Sequence, residues 1–235
     1  MKYSRPIKAI LEREIARLEG RNYDGPTRVI GEIGRLHSAV QSLEGVALNR
    51  NPADNDALHM KKTHDAGVKL QKAVEATRQR ANDILNGHTA RLSETLLERA
   101  GLKPPESLPD IMRQSEFRAV VRSMDAEDRR EVMRVAVKEK KSEILSAFFN
   151  ADPLVTGMDP KFMREMRTSY EHAVAPDVVG ELETLIETDS ALNAVARSAE
   201  KVAKDSQDER AVEAFIRAQE AAEQANQSFS SAIQE

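Results

Sequence analysis

Apolar residues recur along this chain at helical spacing. Ile7, Ile10, Leu11, Ile15 and Leu18 form one stripe, with Pro6 near its start and Gly20 at its end. "NYDGPT" reads as a turn. Val29, Ile33, Leu36, Val40, Leu43 and Ala47 then follow a 4-3-4-3-4 spacing, a heptad seam. Gly31, Gly34 and Gly45 sit in the same helix, where missing side chains allow a neighbouring helix to come close. Asn51-Pro52, followed by Asp54 or Asn55, predicts a turn and then a helix cap. The next helix is expected from about Asp56 to Arg99. At ~1.5 Å per residue it spans about 60 Å. Its first half is polar on most faces. Its second half carries Val74, Thr77, Ala81, Ile84, His88, Leu92 and Thr95 at heptad-like spacing, with Asn86-Gly87 as a candidate break.

"GLKPPESLP" is the clearest boundary, because Gly101 can cap the long helix and Pro104, Pro105 and Pro109 prevent its continuation. It divides an N-terminal helical hairpin or bundle, residues 1–103, from a C-terminal helical region, residues 104–235. In the second part Ile111, Phe117, Val120, Val121 and Met124 suggest one buried face. Asp125 with Asp128 caps a helix that buries Val132, Met133, Ala136 and Val137. Asp159-Pro160 opens a helix with Phe162, Met163, Met166, Tyr170 and Ala173 on one side, and Pro176 opens another with Val178, Leu182, Leu185, Leu192, Ala196 and Ala199. Ser206 and Glu209 form a capping-box pattern. The last helix carries Val212, Phe215, Gln219, Ala222, Asn226, Phe229 and Ile233 at 3-4-3-4-3-4 spacing, a regular but weakly apolar seam. No run alternates in the manner of a strand. The expected fold is all-α: an elongated helical bundle with long coiled-coil-like helices and no β-sheet.

Composition supports this. Hydrophobic residues make up 40% of the 235, charged residues 31% and aromatics only 4%, which suits long helices better than a thick sandwich core. The net charge of −4 hides a split, since residues 171–235 hold 5 Lys+Arg against 14 Asp+Glu. That acidic part reads as a solvated helix face. No segment reaches the ~18 apolar residues of a membrane span, and "MKYSRPIKAILERE" lacks the apolar run of a secretory signal. Membrane insertion is not expected.

Chemical motifs are absent. Without cysteine there are no disulfides or thiolate ligands. His37, His59, His64, His88 and His172 lack metal-ligand spacing. No phosphate loop follows the glycines and no G-x-S-x-G occurs. The chain is therefore read as non-enzymatic, with no catalytic, metal-binding or cofactor-binding residues and no cofactor. Residues 113–141 hold nine Lys or Arg diluted by six acids. A helix-turn-helix there would use Arg129, Arg130 and Arg134 on nucleic acid, a contact that is possible but not favoured.

The most apolar stretch is "ILSAFFNADPLVTGMDPKF", residues 144–162. It reads as a helix-to-helix joint whose Asp-Pro steps are turn and cap chemistry. Its apolar loop residues either tuck onto the flanking helices or dock onto another subunit. The docking candidates are Phe148, Phe149, Leu154, Val155, Met158, Phe162 and Met163. Residues 144–185 resemble a segment of helical proteins of tailed bacteriophages, in which a short apolar helix leads to a "P-x-x-x-G-[ML]" loop, a helix ending in "A-P", and a further helix. That resemblance implies a virion or assembly component and carries no catalytic residues.

The leading expectation is a self-associating structural protein of a tailed-phage virion. Its place is the head–tail junction, the genome exit channel, or an internal or ejected position. Its partners are further copies of itself and portal, tail or capsid proteins. The alternatives are a cytoplasmic DNA-binding or coiled-coil regulator and a phage scaffolding or assembly factor.

Overall fold

A computed structural model describes residues 3–234, apart from the side chains of residues 153, 154, 211 and 231–234. The protein is all-α, and no strand occurs among the described residues. The helices are α1 (Ser4–Arg17), α2 (Asp24–Leu48), α3 (Asp56–Ala100), α4 (Leu108–Ser123), α5 (Ala126–Lys138), α6 (Ser142–Phe149), α7 (Pro153–Thr156), α8 (Pro160–Val174), α9 (Pro176–Asp205) and α10 (Glu209–Gln234). The 45 residues of α3 run without a break through Asn86-Gly87.

The chain forms two compact units, residues 1–86 with 185–235, and residues 87–184. Both α3 and α9 supply residues to each. The expected division at 103/104 falls inside the second unit, because the Pro-rich stretch is no loose linker: Leu102 is fully buried in that unit's core.

In the first unit the α2 seam is buried as its spacing predicts, at Val29, Ile33, Leu36, Val40 and Leu43, while Ala47 is exposed. It packs with Ile7 of α1, with Leu70, Val74 and Ala81 of α3, and with Leu192, Val195, Ala196, Ala199 and Ala203 of α9. The alanines of α9 let the other helices approach closely. Gly31, Gly34 and Gly45 do not serve this purpose, since a Cβ on any of them would meet nothing within 4 Å. Gly67 of α3 does, because a Cβ there would lie 3.0 Å from the Ala203 carbonyl oxygen and beside Ser206 and Gln207.

Charged groups complete this core. On α1, Glu14 is buried and Ile15 is 54% exposed, the reverse of the apolar stripe. Arg13 and Arg17 hold the Glu14 carboxylate at 3.0 and 2.8 Å. Glu32 is likewise held by Arg35 and by Arg80, the latter at 3.0 Å. A buried carboxylate survives only with such partners. Asn55 caps α3 by accepting from the Leu58 amide at 2.8 Å. Ser206 closes α9 instead of capping α10, because its hydroxyl donates to the Val202 carbonyl at 2.7 Å.

Glu44 of α2 caps α1 from outside that helix. Its carboxylate accepts from the Tyr3 amide at 2.6 Å, the Ser4 amide at 3.1 Å and the Ser4 hydroxyl at 2.6 Å. These are orphan donors at the positive end of a helix. Burial pushes the carboxyl's acidity one way, but the Ser4 hydroxyl and the two amides outweigh it and hold the pKa below the ordinary carboxylate value. A depressed folded-state pKa stabilises the fold above the unfolded pKa, and that contribution fades as pH falls through the folded value. Glu44→Gln should therefore cost about 1–2 kcal/mol at neutral pH. Denaturant titrations at pH 7 and near pH 3 should show the gap between variant and parent closing on the acid side.

Candidate functional site

The joint at residues 144–163 is built into the core of the second unit. α6 is apolar on most of its circumference and buries Leu145, Ala147 and Phe148. Phe148 has no exposed surface, and Met158 and Met163 are also buried. Phe149 packs against Tyr170 with ring centroids 6.5 Å apart. Phe162 is half-buried. Val155, at 44%, stays exposed, and the Leu154 side chain lies outside the described residues. Phe148 thus offers no surface to a partner while the unit is folded, and Met158 and Met163 offer under a tenth of theirs.

α3 ends at the same core. Gly101 adopts φ +63°. The Gly101 amide donates to Glu98 and the Leu102 amide to Leu97, a Schellman turn. The Tyr170 hydroxyl donates to the Ala100 carbonyl at 2.6 Å, and Asn150 donates to the Leu102 carbonyl at 3.1 Å. Desolvation by burial raises the Tyr170 phenol's pKa, which keeps it protonated as a donor.

Arginines of α4 and α5 clamp the joint. Arg118 donates to the Ala147 carbonyl at 2.9 Å, Arg122 to that of Val155, and Arg129 to that of Gly157 at 3.0 Å. Ala147 and Val155 lie in the last turns of α6 and α7, where carbonyls have no helical partner. A guanidinium suits this task, with several donors on one rigid plane. Gly157 adopts φ +67°, and a Cβ there would lie 2.6 Å from Arg129 Nη1. Arg130 and Arg134 lie 6.0 and 5.9 Å from the Phe162 ring centroid. Both also pair with Glu127, at 3.8 and 3.4 Å. The three arginines considered for nucleic acid therefore have intramolecular partners. These clamps were missed in the sequence, because α4, α5 and their acceptors are joined only by the tertiary fold.

The inward face of α4 also differs from its apolar pattern. Gln114 and Val121 are buried, with Gln114 donating to Ser146 at 3.3 Å, whereas Ile111 and Val120 are exposed. On α8, Tyr170 is buried but Ala173 is exposed. An open groove of about 470 Å³ beside this face is lined by Lys103, Pro105, Arg113, Gln114 and Ser146.

The last helix is different. Val212 and Phe215 are partly covered, but every side chain from Ile216 to Ser230 is exposed. Phe229 is 67% exposed. Ile233 lies outside the described side chains. The seam predicted for this helix is thus regular and largely uncovered within the chain.

The chain matches no family model, no curated protein and no solved structure.

Among the described residues no three His, Asp or Glu side chains gather as a metal site. His59 lies 3.3 Å from the Ala47 carbonyl, His88 is 3.1 Å from Arg91, and His172 is 3.3 Å from Glu183. No helix among the described residues is long and apolar enough to cross a membrane.

The burial pattern separates core from surface within one short segment. Phe148→Ala should destabilise the protein by about 3–5 kcal/mol. Val155→Asp should stay within about 0.5 kcal/mol of the parent. Thermal and denaturant unfolding of the two variants measures the contrast directly.

Proposed function

We propose that this chain is a non-enzymatic, self-associating structural protein of a tailed-phage virion. The observation that carries self-association is α10, a 26-residue helix with a continuous 3-4 seam that its own chain leaves largely uncovered. A helix with a weak seam gains little stability alone and needs a neighbour. The resemblance of residues 144–185 to helical phage proteins supports the virion setting. The arginines favour this reading over a DNA-binding one, since Arg118, Arg122 and Arg129 are spent on capping carbonyls.

Phe229 is the natural test residue, because its exposure separates association from folding. At concentrations too low for association, Phe229→Asp should leave circular dichroism and the unfolding midpoint as in the parent. It should also lower the mass seen by sedimentation of the full chain at high concentration. A parent chain that sediments as a monomer at every concentration, alone and with portal, tail and capsid proteins, would overturn the reading.

A further inference from the structure

The layers of α10 indicate what covers it. Counting from Val212, positions a are Val212, Gln219 and Asn226, and positions d are Phe215, Ala222 and Phe229. Two polar layers, at Gln219 and Asn226, therefore interrupt an otherwise apolar seam. A partner must present hydrogen-bonding groups at the same two heights, or these amides are buried facing apolar surface, and a second copy in register does so with its own Gln219 and Asn226.

We propose that α10 pairs with α10 of a second copy of this chain, parallel and in register; this rests on the self-association reading above. In that arrangement each layer meets its own kind. Asn226 faces Asn226, Gln219 faces Gln219, and Phe215 and Phe229 each face their counterparts. An Asn at a single a position fixes register in parallel pairs in just this way. The antiparallel alternative sets a against d: Val212 meets Phe229, Phe215 meets Asn226, and Gln219 meets Ala222. Both amides then face apolar groups.

The flanks agree. The g positions Ala218 and Ala225 are small, and they face e positions Glu223 and Ser230 across a parallel pair, so no like charges meet. The remaining charges lie away from the seam. Glu213 and Arg217 already pair with each other on the outer side at 3.4 Å. Gln219 donates one amide hydrogen to Glu223 of its own helix at 3.1 Å, and its second amide hydrogen and its carbonyl oxygen remain to donate to and accept from the second copy.

The absence of native cysteine allows a direct test by single-site cross-linking. Val212→Cys and Phe229→Cys are made separately in the full chain and oxidised after sedimentation has established association. In the parallel pair each position lies beside its own counterpart, and either variant forms a disulfide dimer by itself. In the antiparallel pair each cysteine is roughly 25 Å from its counterpart along the axis, at ~1.5 Å per residue. Only a mixture of the two variants would then cross-link, and that result overturns the proposed register while self-association stands. Association without any cross-link at either site removes α10 from the interface. A monomer that binds some other helical protein through α10 overturns the second-copy assignment and the self-association reading together.

Discussion

The turn that ends α3 is the point on which the second unit depends. At Gly101 the chain enters the left-handed region, which glycine adopts without a Cβ penalty. Space is short there as well, because a Cβ would lie 2.8 Å from that of Ser142 at the start of α6. The turn sends Leu102 into the core. It also leaves carbonyls at Ala100 and Leu102 for Tyr170 and Asn150. One backbone reversal thereby fixes α6 through Ser142, the end of α6 through Asn150, and α8 through Tyr170. The buried phenol sits at the centre of that arrangement, and its burial is compatible with function as a donor because it remains protonated.

The two units reach stability with little aromatic mass. In the first, alanines on α9 and a glycine on α3 substitute closeness for bulk. Carboxylates at Glu14, Glu32 and Glu44 are buried in the same unit, each with its own donors. In the second, arginines donate to backbone carbonyls at and just beyond helix ends. α7 has four residues, so nearly all its carbonyls are terminal, and α6 is only eight residues long. Arg118 and Arg122 supply donors to the ends of α6 and α7, and Arg129 to Gly157 just beyond α7. The cationic character of α4 and α5 is thus accounted for in part by the carbonyls that three of their arginines hold.

What could be read from the sequence was local. The α2 seam, the Asp125 and Asp159 caps and the stop at Gly101 each depend on residues within a few positions, and each is seen in the structure. What could not be read was pairwise and distant. Arg13 and Arg17 beside Glu14 can hold its carboxylate, but they do not say that it faces inward while Ile15 faces out. That depends on which side of α1 meets α2. Gly31 and Gly67 look equally suited to close packing, and only the place where α9 runs distinguishes them. At the joint, apolar character was visible but its direction was not. Phe148 points into the core, whereas Val155, seven residues later, points out. For α10 the spacing was plain from the start. Its largely uncovered state was not, because exposure is a property of the rest of the chain.

Gly67 has an effect beyond its own helix. The atoms around it belong to Ala203, Ser206 and Gln207, the last turn of α9 and the residues leading into α10. The Ala203 contact is a backbone carbonyl, which cannot swing aside as a side chain does. A side chain at position 67 therefore presses on the end of α9, which must give by a few tenths of an ångström. A small steric change in the first third of α3 is thus felt at the stem of α10, with every residue of the α10 seam left intact.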